Sequence, residues 1–207
     1  RALVVFPEGN FWGRSIGAIS ASSDPDSFSG FGPLVPGFVK VPYNDLAALE
    51  LAFQNPNVAA FMLEPIQGEA GVLVPDTNYW AGVRAACSAA GVLMLADEVQ
   101  TGIGRTGAWL ASCGACTCTA ACERQSNYVR PDVLILGKAL SGGVYPVSAV
   151  LADDEVMLTI HPGQHGSTFG GNPLASRVAQ AALDVVSEEG LLANARERGM
   201  QFRAGVE

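Results

Sequence analysis

A chain of 207 residues, 49% hydrophobic and 15% charged, is long enough to bury one large α/β core and too apolar to stay disordered. Twelve Lys and Arg against twenty Asp and Glu leave a formal charge of −8, which excludes the basic face that phosphodiester binding needs. No run approaches the roughly 18 consecutive apolar residues of a membrane span, and no charged, apolar and cleavage-site series stands at the N-terminus, so neither nucleic acid nor a membrane is an expected partner.

Arg1 runs straight into the apolar stretch Leu3 to Phe6, which reads as a strand already under way and suggests part of a longer chain. Residues Ser20 to Pro42 are rich in Gly, Pro and Ser and read as loop. Asp45 to Gln54 is a predicted helix, with Asn44 as cap and Leu46, Leu49 and Phe53 at helical spacing. A strand over Ala59 to Leu63 precedes a second helix, about Tyr79 to Ala90, which Gly91 ends by offering the left-handed conformation. Strands follow at Val92 to Ala96, Val133 to Leu136 and Val147 to Leu151. Asn172 as cap and Pro173 at the first helical position open a third helix that stops before Gly190, and Leu191 onward is helical and more charged. Short apolar runs alternating with helical patterns predict an α/β fold with a mostly parallel sheet flanked by helices.

Ser112 to Asn127 breaks this pattern: it is rich in Cys, Ala and Thr, has no hydrophobic period and reads as an insertion. Four of the five cysteines lie there, at 113, 116, 118 and 122, too bunched for a disulfide framework, so the redox compartment stays open. Four thiolates satisfy tetrahedral zinc, but structural zinc sites usually have two knuckles and a longer loop between them, so an insertion is the preferred reading and no metal ligand is assigned.

Two strands carry the chemistry. Val92 to Ala96 ends abruptly in Asp97 and Glu98, and ligands of open α/β sheets bind beyond the carboxyl ends of strands. A carboxylate there can keep a pyridinium nitrogen protonated, or one of the two acids can cap the following turn. Val133 to Leu136 and Gly137 deliver Lys138 among apolar neighbours, where a desolvated amine is pushed toward its nucleophilic form and can attack an aldehyde. A lone lysine is more often a surface residue whose stem lies along apolar groups; Lys138 is singled out by its company. Ser141-Gly142-Gly143 with Tyr145-Pro146 make a tight turn just after it, and the loop Gly166-Ser167-Thr168-Phe169-Gly170-Gly171-Asn172-Pro173 sets small residues and hydroxyls before a helix, where they can approach a phosphate. His161 and His165 read as loop residues without a catalytic role.

Asp97-Glu98-Val99-Gln100-Thr101-Gly102 with Gly104-Arg105-Thr106-Gly107, then Gly137-Lys138-Ala139-Leu140-Ser141-Gly142-Gly143, resemble the class III (ω-amino acid) aminotransferases. Asn10-Phe11-Trp12-Gly13-Arg14, Glu64-Pro65-Ile66-Gln67-Gly68-Glu69, Tyr145 to Val150 and His165 to Pro173 extend the likeness over nearly the whole chain in family order, with the ornithine-acting members nearest. The resemblance implies the large domain of a fold-type I enzyme that uses pyridoxal 5'-phosphate, incomplete at both ends. Residues 1–190 would form the partial cofactor-binding domain with an insertion at about 112–127, and 191–207 would begin the small domain.

It also implies roles. Lys138 would form the Schiff base and move the proton, while Asp97 would pair with the pyridine nitrogen and Gln100 would bond near the ring hydroxyl. Phe11 would stack on the ring. Ser167 and Thr168 would reach the phosphate of a neighbouring subunit, which makes a homodimer with a shared site the implied assembly. Arg14 would bind a substrate carboxylate, with Glu69 and Trp12 beside the substrate. The implied reaction moves the δ-amino group of ornithine to 2-oxoglutarate, in the cytoplasm or the mitochondrial matrix. Acetylornithine or 4-aminobutyrate as donor, a mutase, and a catalytically silent interaction module are the alternatives.

Overall fold

The computed structural model describes residues 1–113 and 129–207. The chain divides into two compact units, Arg1–Asp97 with Val129–Val133, and Glu98–Tyr128 with Leu134–Glu207. The cysteine segment, apart from Cys113, lies outside the described residues.

In the first unit the order is β1 (Leu3–Pro7), α1 (Ile16–Ala21), α2 (Pro25–Phe28), β2 (Phe38–Val41), α3 (Leu46–Ala52), β3 (Val58–Leu63), α4 (Tyr79–Ala90) and β4 (Leu93–Asp97). The four strands stand in the order β2-β1-β3-β4, every neighbouring pair parallel. Parallel strands need crossovers: α4 supplies the one between the neighbours β3 and β4, and α3 carries the chain from β2 past β1 to β3. Their inward residues meet the sheet in one core: Leu49 from α3 and Tyr79, Val83 and Cys87 from α4 pack with Val5, Phe61, Leu63 and Met94. Gly82 lies where α4 passes α3, and a Cβ there would collide with the Leu46 side chain. Arg84 of α4 pairs with Asp132 at 2.7 Å, and the same Asp132 oxygen accepts the Met94 N–H at 2.6 Å, which ties residues 129–133 to β4.

The second unit carries β5 (Val133–Leu136) from Leu134 onward and β6 (Ala149–Ala152), neighbours in strand order, then α5 (Asp154–Met157), α6 (Pro173–Glu188) and α7 (Leu191–Val206). Asn172 caps α6 through Ala175 N–H at 2.9 Å with Pro173 in the first turn, and Gly190, at φ 65°, separates α6 from α7.

The mostly parallel sheet flanked by helices is thus present, with local differences. The stretch read as loop holds the end of α1, all of α2 and the four-residue β2 at the end of its unit's strand order, elements too short to impose a period over the surrounding Gly and Pro. Asp45, not Asn44, caps α3, accepting Ala48 N–H at 2.9 Å; Asn44 turns to φ 64° and accepts the Asp76 N–H instead. The last strand begins at Ala149 rather than Val147.

Candidate active site

Glu64 directly follows β3 and is buried. Its Oε1 accepts the Phe11 N–H at 2.9 Å and its Oε2 the Gly68 N–H at 3.1 Å, so one carboxylate anchors the loop after β1 to the loop after β3. Gln67, wholly buried, donates from Nε2 to the Glu8 carbonyl at 2.7 Å. Gly9 suits the place beside it: at φ 80° and with a Cβ position 2.7 Å from Gln67 Oε1, a side chain there would be strained and would press on the Gln67 amide. The Tyr43 hydroxyl donates to the Pro65 carbonyl at 3.2 Å, and burial, with Tyr79 and Glu64 adding to it, pushes this phenol well above its ordinary range.

Phe11 is half-buried, and the Arg14 guanidinium stands over its ring at 5.2 Å, so the expected ring-stacking and carboxylate-binding residues are brought together. Trp12 donates its indole N–H to the Ala18 carbonyl at 2.9 Å and packs its ring 5.3 Å from Phe6 and 6.3 Å from Phe38. Those contacts hold α1 against the strands. Glu69 is exposed within the turn closed by Gln67 and Leu73. Asp97 is buried at the carboxyl end of β4.

In the second unit β5 ends at Leu136, and Gly137 leads into a 3₁₀ turn over Lys138–Ser141. Lys138 sits at φ 42°, a left-handed conformation that side-chain-bearing residues seldom adopt, and Ser141 braces the turn by donating to the Lys138 carbonyl at 2.8 Å. The amine is exposed rather than enclosed by apolar groups as its strand suggested, because the chain turns away at Gly137. It lines two cavities. One, of about 620 Å³, is walled by Ile103, Gly104 and Arg105 and by Leu191, Asn194 and Ala195 of α7; the other, of about 340 Å³, by Ser141 and by Val144 to Val147.

Glu98 is wholly buried, Gln100 half-buried. Ser167 and Thr168 are exposed on the loop before α6, with Ser167 Oγ accepting the Gly170 N–H at 3.0 Å, and they line neither cavity of Lys138. Sequence reasoning missed Ile103, which is buried at φ 54° and belongs to the cavity wall. The one local signal was a β-branched residue between Gly102 and Gly104. It also missed the part of α7 in that wall, for which the helix's polar composition offered no cue.

The family model for class III aminotransferases matches residues 1–207. Mitochondrial ornithine aminotransferase of Rattus norvegicus is 59% identical over 203 residues, covering 98% of this chain and 44% of the relative, so the chain spans about half the length of the curated relatives it matches. The crystal structure of ornithine aminotransferase from Toxoplasma gondii ME49 superposes with a TM-score of 0.90 at 47% identity, covering 98% of this chain and 45% of that one. A second Toxoplasma gondii structure, with pyridoxal phosphate at partial occupancy in its active site, has a TM-score of 0.90 at 46% identity and covers 99% and 46%.

Proposed function

The chain belongs to the class III aminotransferases, and from that premise we propose that it carries the lysine-bearing part of an enzyme moving the δ-amino group of ornithine to 2-oxoglutarate, giving glutamate semialdehyde and glutamate. The observation that carries the substrate is the 59% identity with an ornithine aminotransferase along almost the full chain. Residues 191–207 then begin the small domain, a homodimer completes the site, and relatives that are mitochondrial by name favour that compartment over the cytoplasm.

The residues fit pyridoxal phosphate by their chemistry. A primary amine on a braced turn faces cavities of about 620 and 340 Å³, within the size range of small-ligand sites, and a buried carboxylate ends β4. When bound, the cofactor supplies an electron-withdrawing ring that stabilises charge at a carbon losing its proton.

Lys138 would hold the cofactor aldehyde through its amine and, once released by the incoming amino donor, take the proton from the substrate δ-carbon and return it on the other side of the exchange. Its φ of 42° sets the direction in which the stem leaves the turn. Asp97 would keep the pyridine nitrogen protonated, and its burial at a rigid strand end strengthens that charge pair. Gln100 would bond the ring hydroxyl. Phe11, held by the Glu64 bond to its N–H, would cover the ring face, and Arg14 would receive a carboxylate through its planar fork. Glu69 and Trp12 would border the substrate. Ser167 and Thr168 would donate to the phosphate of the partner subunit's cofactor.

Incubating the purified protein with ornithine and 2-oxoglutarate is expected to release glutamate semialdehyde, with acetylornithine and 4-aminobutyrate turned over far more slowly. Preference for either of those amines would move the enzyme to another branch of the class. Lys138→Ala is expected to lower turnover by about a hundredfold or more while leaving the fold intact, as loss of a general acid–base group does; unchanged turnover would remove Lys138 from the mechanism.

A further inference from the structure

Glu98 is fully buried, yet none of the roles above uses it. We propose that Glu98 is a positioning residue for amine binding: its carboxylate holds the Ile103–Arg105 wall of the Lys138 cavity in the shape that receives the amino donor, an assignment that rests on the aminotransferase reading.

Three donors converge on this side chain. Oε1 accepts the Ser112 N–H at 2.7 Å, and Oε2 accepts the Thr101 hydroxyl at 2.5 Å and the Ala111 N–H at 3.0 Å. The carboxylate thereby closes both ends of the 99–112 segment on one point. Its own backbone is pinned as well, the N–H donating to the Ile135 carbonyl of β5 at 2.9 Å and the carbonyl accepting the Gly102 N–H at 2.8 Å. The strand that presents Lys138 and the loop that walls its cavity are therefore referenced to the same residue.

The wall needs that support. Ile103 sits at φ 54°, strained for a β-branched residue, and such strain persists only where the surroundings over-determine it. Within the loop, the Ile103 N–H donates to the Trp109 carbonyl at 2.7 Å and the Gly107 N–H to the Gly104 carbonyl at 3.0 Å. On its far side the loop lies against α7: Arg196 donates to the Gly107 carbonyl, and a Cβ at Gly104 would stand 3.2 Å from Leu192. With Glu98 on one side and α7 on the other, Ile103, Gly104 and Arg105 face the cavity that Lys138 lines.

Glu98→Gln keeps the side-chain volume but turns one acceptor into a donor that faces an N–H or a hydroxyl. In the purified holoenzyme we expect the Ala111 and Ser112 amides to exchange about tenfold faster or more, as a locally opened loop does. We expect KM for ornithine to rise about tenfold with kcat changed less than about threefold, the signature of lost binding geometry. A role confined to folding would instead lower the active fraction, reducing kcat at unchanged KM, and that result overturns the proposal, as do unchanged amide exchange or unchanged constants. Should Glu98→Gln not fold, Thr101→Val removes one of the three donors and must shift KM and exchange in the same direction by a smaller factor; no shift overturns the proposal equally. If the wild-type enzyme does not turn over ornithine, the substrate assignment fails and the same comparison is made with whichever amine it accepts.

Discussion

Glu64 and Glu98 occupy equivalent places, each the first residue after a strand, each buried, and each satisfied by N–H groups of the loop it anchors. A buried carboxylate stripped of its donors is costly, so these two residues fix loops that would otherwise wander. Glu64→Gln places an amide NH₂ against the Phe11 or Gly68 N–H and is expected to cost about 1–3 kcal/mol in chemical denaturation, with faster exchange of the Phe11 amide. A variant as stable as the wild type would mean that the loop after β1 is held by other contacts. Lys138 was legible from its strand, its turn glycines and its company, but its exposure and its φ of 42° were not, because both depend on where the chain turns after Gly137. Glu98 was legible only as one of two acids at a strand end. Which of them caps the turn follows from donors thirteen and fourteen residues away, a distance no local pattern encodes.

Helices of several turns and the short apolar strands were read well, the short elements between Ile16 and Val41 poorly. α4 and α6 have three or more turns and carry their own stop and start signals, Gly91 at φ 67° and Asn172 with Pro173, so period and caps agree. β2, α1 and α2 have four to six residues and owe their existence to pairing with β1 and to caps at Ser15 and Asp24, information that only the folded chain supplies. Asn172→Ala deletes the bond to Ala175 N–H and is expected to destabilise α6 by about 1 kcal/mol, read as a lower midpoint in urea. α4 makes a pH-dependent contribution through Cys87 and Tyr79, whose pKa values burial pushes up to about 12 in each case from ordinary values of 9.0 and 10.0. Both groups favour the folded state while neutral. Their contribution is complete below about pH 9, where the unfolded thiol begins to ionise, and is lost as pH rises toward 12. Unfolding followed from about pH 8 to 11 is expected to show stability falling on the alkaline side, with a shallower fall in Cys87→Ala; an identical slope in the variant would assign the effect to other groups.

For the molecule as a whole, the family match and the 0.90 TM-score place the chain among the class III aminotransferases, and the proposed chemistry is centred on Lys138. The formal net charge is −8, and among the described residues no helix is long and apolar enough to cross a membrane. The most direct test is to reduce the purified, cofactor-loaded protein with borohydride, digest it and locate the modified peptide by mass spectrometry. The expected result is a single phosphopyridoxyl group on Lys138, absent when ornithine is added before the reductant. Modification at another lysine, or none in a protein that turns over ornithine, would contradict the assignment of Lys138 as the Schiff-base residue.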